Sequence, residues 1–124
     1  MHGLDPEQIA SLRKRLEQAR AALFEQLAGE LDVQAGTAGA PLRELEASPA
    51  DNASNRTLSE LVQGTVDHTA RQLKLVRHAL GKLEDGDYGL CEQCGGAIGH
   101  SRLEARPEAR LCIVCQTRAE RPPR

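Results

Sequence analysis

Apolar residues recur at Ile9, Leu12, Leu16, Ala19, Leu23, Leu27 and Leu31, in steps of three and four. Arg13, Lys14, Arg15, Glu17 and Arg20 fill the other faces. Such a stripe predicts an amphipathic helix close to a heptad. Its start is marked by Asp5-Pro6-Glu7, an N-cap acid followed by proline at the first helical position and an acid in the first turn. The pattern stops near Val33, and Ala35 to Pro41 holds two glycines and a proline, a breaker segment. Leu42 to Ala47 suits a short helical turn, and Ser48 to Asn55 is polar and turn-rich. A second stripe follows at Leu58, Val62, Thr65, Thr69, Leu73, Val76, Leu80 and Leu83, predicting a helix from about Arg56 to Glu84. Two such helices, each roughly 42 Å long at ~1.5 Å per residue, pair antiparallel as a helical hairpin. Asp85-Gly86-Asp87-Tyr88-Gly89 ends the second helix in a glycine turn.

Composition shows what such a fold lacks. Of 124 residues, 40% are hydrophobic, yet Phe24 and Tyr88 are the whole aromatic content. A core of Leu and Ala is thin, and a chain of this kind calls for long helix-on-helix packing, a metal, or both. The formal net charge of -2 argues against a nucleic-acid binder. No apolar run is long enough to span a membrane, and the first residues lack the pattern of a secretory signal. The expected location is the cytoplasm.

All four cysteines lie in the last third, as Cys91-x2-Cys94 and Cys112-x2-Cys115 separated by seventeen residues. In a reducing compartment, paired CxxC motifs read as a metal site rather than as disulfides. No βαβ pattern surrounds either pair, which disfavours a redox motif. Zn²⁺ takes four tetrahedral ligands, with thiolate its common structural partner. Gly95 and Gly96 permit the tight knuckle after the first pair, and Gln116 to Glu120 reads as a helix after the second. The expectation is one structural zinc in a treble-clef-like finger with a C-terminal helix. Four cysteine ligands close the coordination shell, so no catalysis is expected at the metal, and His100 is read as a surface residue.

The run Leu83-Glu84-Asp85-Gly86-Asp87-Tyr88-Gly89-Leu90-Cys91-Glu92-Gln93-Cys94-Gly95 resembles the DksA/TraR family of bacterial transcription factors, as does Ile98 to Pro107 with its Arg-Leu-Glu-Ala-Arg-Pro stretch, followed by Leu111-Cys112-Ile113-Val114-Cys115. The resemblance is close over the C-terminal third, extends through the second helix and reaches loosely into the first. It implies a hairpin at residues 1–85, with its tip around 48–55, and a zinc-finger domain at 86–124. It also implies binding to RNA polymerase, the hairpin entering the secondary channel so that its tip approaches the active site and alters initiation. The family's Asp-x-x-Asp-x-Ala tip falls on Ser48, Asp51 and Ala53, with serine in place of the first acid. The breaker segment from Gly36 to Pro41 adds residues on the first-helix side and leaves the hairpin's register at the tip open. Where the best-known members carry basic side chains for the alarmone ppGpp, this chain has His68, Leu75 and Gln116. Phosphate recognition favours Arg or Lys, so ppGpp synergy is expected to be weak, with dependence on the nucleotide left open.

From Arg56 to Lys82, five basic residues face Glu60 and Asp67, a net of +3. Arg71, Lys74 and Arg77 are candidate polymerase contacts, or members of a solvated helix face. Arg102, Arg106 and Arg110 either serve likewise or hydrogen-bond within the finger, and His78 is read as solvated. The chain is expected to be a monomer that regulates without catalysis, with no catalytic residues and no sequence-specific DNA contact. The alternatives are a zinc-finger nucleic-acid-binding module, opposed by the net charge and the scarcity of stacking aromatics, and a structural zinc adaptor.

Overall fold

The computed structural model describes residues 1–38 and 49–121, with side chains at 1–36 and 56–121. Four helices account for most of it: α1 (Pro6–Ala38), α2 (Pro49–Asp85), α3 (His100–Ala105) and α4 (Ile113–Glu120). Among the described residues there is no strand, only an isolated antiparallel bridge between Leu90 and Ala97. No helix among them is long and apolar enough to cross a membrane.

The start of α1 is the one its sequence signals. Asp5 Oδ1 accepts from the Gln8 backbone N–H at 2.7 Å, and Gln8 Oε1 accepts from the Asp5 N–H at 3.0 Å. This reciprocal capping box satisfies two donors that an uncapped helix end leaves open. Both long helices exceed their predicted limits. α1 continues past Val33 through Gly36 to Ala38, and α2 begins at Pro49 rather than near Arg56. Proline is pre-set for the first helical position. The Ser and Asn residues behind it cost at most ~0.7 kcal/mol each in a helix, too little to hold back a helix of 37 residues. The rest of the breaker segment and the predicted short turn at 42–47 lie outside the described residues.

α2 ends as predicted. Gly86 takes φ 81°, and the Asp87 N–H reaches back to the Lys82 carbonyl at 2.9 Å, the hydrogen bond of a Schellman cap.

The described chain forms two compact units, Met1–Arg20 with Lys74–Arg124, and Ala21–Leu73. In the second, Gln26 Nε2 bonds Thr69 Oγ1 at 3.3 Å, and Gln34 Nε2 bonds Gln63 Oε1. Partner numbers fall on α2 as they rise on α1, so the helices run antiparallel. Within this pairing Thr69 is fully buried. Its hydroxyl donates to Glu30 Oε1 at 2.9 Å, an oxygen that also accepts from Gln26 Nε2 at 2.9 Å.

The first unit holds most of the core, including Leu12, Leu16, Val76, Leu83, Tyr88 and Leu103. The predicted stripes need correction: on α1 Leu31 is exposed, and on α2 the seam shifts. Thr65 and Leu58 are exposed, and Val66 and Ala79 are buried instead. The predicted sequence took two successive steps of four, from Thr65 to Thr69 to Leu73, which drifts off a seam that repeats every 3.5 residues. Val66, Thr69, Leu73 and Val76 keep the alternation of three and four.

Candidate metal centre

The two cysteine pairs are presented by different local structures. The first lies on a tight turn enclosed by the Leu90–Ala97 bridge. There the Cys91 N–H donates to the Gly96 carbonyl at 2.7 Å, and the Gly95 N–H donates to the Cys91 carbonyl at 3.0 Å. Gly95 sits at φ 74°, a conformation that a side chain resists, so this position of the knuckle calls for glycine. The second pair opens α4. Cys112 is its N-cap, and the Cys115 N–H points at Cys112 Sγ at 3.5 Å. A thiolate there sits at the positive end of the helix dipole.

These two devices bring the four sulfurs within 4.8 Å of one another. Cys94 Sγ and Cys112 Sγ are 3.9 Å apart, and none of the four is in a disulfide. Four sulfurs each ~2.3 Å from a tetrahedral zinc lie roughly 3.8 Å from one another, so the cluster has the dimensions of a Cys₄ zinc site.

The thiols shift in opposite directions because the sulfurs are crowded together. Burial pushes the Cys91 thiol up, but the backbone N–H groups of Cys94, Cys112 and Gln93 outweigh it and bring the thiol down to about 6. Cys112 is lowered too, chiefly by the Cys115 N–H. Cys115 is driven up to about 12 by its hydrogen bond with Cys112 and by burial. Four thiolates crowd at this spacing only if a cation shares their charge, and a bound Zn²⁺ supplies it.

Around the sulfurs, charged side chains cross-link the knuckles. Glu92, next to Cys91, accepts from Arg110 through both oxygens, from Nε to Oε2 and from Nη2 to Oε1, each at 3.0 Å. The Glu92 N–H donates to the Arg110 carbonyl at 2.9 Å. Oε2 also meets His78 Nε2 at 3.0 Å and Lys82 Nζ at 3.3 Å, both on α2. The Arg110 bonds, with His78 and Lys82 adding to them, hold the Glu92 carboxyl down at about 2. Arg102 Nε donates to the Leu111 carbonyl at 2.9 Å, immediately before Cys112, and Arg15 bonds the Glu104 carbonyl.

The four predicted ligands are therefore brought together. Of the arginines weighed from sequence, Arg102 and Arg110 bond within the finger. His78, read as solvated, is paired with Glu92, an acid that no motif singles out. The available signal was an acid beside the first pair and a base two residues before the second. Arg71, Lys74 and Arg77 are exposed, as a contact surface requires. Ser48 lies outside the described residues. Asp51 and Ala53 lie in α2, and their side chains are outside the described set.

Comparisons with known proteins agree with this geometry. The prokaryotic dksA/traR C4-type zinc finger matches residues 86–121. The RNA polymerase-binding transcription factor DksA of Escherichia coli is 44% identical over 72 residues, covering 58% of this chain and 48% of that protein. Its namesake in Caulobacter vibrioides is 42% identical over 78 residues, covering 63% and 55%. The chain thus spans about half the length of the curated relatives it matches. The solved structure of transcription factor DksA2 from Pseudomonas aeruginosa is 31% identical and superimposes with a TM-score of 0.75, over 94% of this chain and 85% of that one. The Dks structure from Chlamydia trachomatis, at 21% identity and a TM-score of 0.56, shares the fold. A four-cysteine finger and paired helices that align along nearly the whole chain with DksA2 place this protein in the DksA/TraR family.

Proposed function

We propose that this chain is a bacterial transcription regulator that binds RNA polymerase through the secondary channel and modulates initiation by protein–protein contact, without catalysis of its own. The observation that carries this reading is the likeness to DksA2 over 94% of the chain, at an identity of 31%. The names of the curated DksA relatives support the choice of partner.

In this reading residues 1–85 act as the hairpin and 86–124 as the finger, held by one structural zinc on Cys91, Cys94, Cys112 and Cys115. The protein works as a cytoplasmic monomer and makes no sequence-specific DNA contact. The tip residues Ser48, Asp51 and Ala53 approach the polymerase active site. There the Asp51 carboxylate acts on a basic, metal-containing centre by charge and hydrogen bonding. With serine at the first acidic position, the effect rests on one carboxylate. Exposed Arg71, Lys74 and Arg77 meet an acidic rim of the channel.

ppGpp adds little in this reading. His68 and Leu75 offer no guanidinium or ammonium for phosphate, and Gln116 is engaged with Glu120 at 2.7 Å. Strong enhancement by the nucleotide at a stringent promoter would refute this part.

The test compares wild type with Asp51→Asn in polymerase pull-down and in vitro transcription. Both proteins are expected to bind, and only wild type to alter initiation. An Asp51→Asn protein that regulates like wild type would remove Asp51 from the mechanism.

A further inference from the structure

Each cysteine pair carries one half of an ion pair. Glu92 lies between Cys91 and Cys94, and Arg110 lies two residues before Cys112. They are joined by two side-chain bonds of 3.0 Å and a backbone bond of 2.9 Å. The pair thus spans the same gap that the metal must span. A single exposed ion pair contributes little, but two parallel bonds with further charges in a network are the exception. Here the further charges are His78 and Lys82, at 3.0 and 3.3 Å from Glu92 Oε2. Side chains beyond the ligands that fix ligand orientation typically change metal affinity by ~10–100-fold when lost.

We infer that Glu92 is a positioning residue for the metal, which holds the two cysteine pairs at ligand spacing by clasping Arg110 and is itself braced from α2 by His78 and Lys82. The residue touches no ligand sulfur in this role. It acts by keeping both knuckles in place when a Zn–S bond opens, so that the bond re-forms before a competitor captures the ion. The inference concerns the finger alone and is independent of the polymerase reading.

The test is zinc release from the full, zinc-loaded chain into excess chromophoric chelator, followed by absorbance. Glu92→Ala and Arg110→Ala are each expected to speed release about tenfold, at the low end of the range for such residues. The double variant is expected to stay within about threefold of the faster single one, because the two side chains act as one unit. Glu92→Gln keeps the shape and one acceptor oxygen, and should release zinc more slowly than Glu92→Ala. It also serves if Glu92→Ala fails to fold. Thr69→Val, which perturbs α1–α2 pairing outside the finger, should release zinc at the wild-type rate. Wild-type release from both Glu92 variants would overturn the inference. So would multiplying effects in the double variant, or equal acceleration by Thr69→Val, which would mark a general loss of stability.

Discussion

Tyr88 Oη donates a 2.9 Å hydrogen bond to the Pro107 carbonyl, nineteen residues away, and so ties the turn before the first cysteine pair to the end of the Arg-Leu-Glu-Ala-Arg-Pro stretch. The ring is only 2% exposed, and its phenol is displaced from 10.0 to about 12 by burial first and by nearby Glu108 second, with Arg15 opposing. As Tyr88 is the one tyrosine in the chain, phenolate absorbance near 295 nm reads it directly. The zinc-loaded protein should titrate near pH 12 and the urea-unfolded chain near its ordinary value of ~10. Because the folded value is the raised one, the stabilisation is complete below about pH 10 and is lost as pH climbs through the folded value, roughly 2–3 kcal/mol in all. Tyr88→Phe should cost about 1 kcal/mol in denaturant unfolding at neutral pH.

Glu30 and Thr69 form a polar contact between α1 and α2, with Gln26 Nε2 bonding both side chains. Thr69 donates to Glu30 Oε1, and Glu30 Oε2 is buried without a hydrogen-bond partner. Removing one side of such a contact leaves a desolvated group unpaired, whereas replacing both sides with apolar groups is close to neutral. Thr69→Val should therefore destabilise by about 1–2 kcal/mol, and Glu30→Leu with Thr69→Val should recover most of that loss, as measured by denaturant unfolding.

Zinc removal should strike the finger selectively. Structural zinc contributes on the order of 10–16 kcal/mol of apparent binding energy in small zinc domains, and α3 and α4 have only six and eight residues each. Elemental analysis should find one zinc per chain. Stripping it should melt the short helices and leave most of the helical circular dichroism, carried by α1 and α2. Reloading near pH 7 should release protons, Cys115's among them, because its thiol is pushed up to about 12. Zinc affinity should accordingly fall as pH is lowered.

Much of this was legible in the sequence because the signals are local. The CxxC spacing, Asp5-Pro6 and Gly86 each act within a few residues and appear where expected, while the apolar stripes hold only in part: Leu31, Leu58 and Thr65 are exposed. The misplacements have three sources. Element limits depend on small propensities that long helices override, as from Pro49 to Asn55. Side-chain partners depend on tertiary approach: His78 meets Glu92 across fourteen residues and Arg110 meets it across eighteen. Val66 replaces Thr65 in the core because the steps of four through Thr65, Thr69 and Leu73 drift off the 3.5-residue seam. The role proposed for Asp51 rests on the family resemblance, because the residues around it read only as a polar, turn-rich segment.

The most direct measurement is binding of the zinc-loaded chain to purified core RNA polymerase. A stable complex that forms without DNA, together with altered initiation in vitro, is the predicted result. No complex with the polymerase, alongside tight, salt-sensitive binding of the isolated protein to DNA, would contradict the central claim.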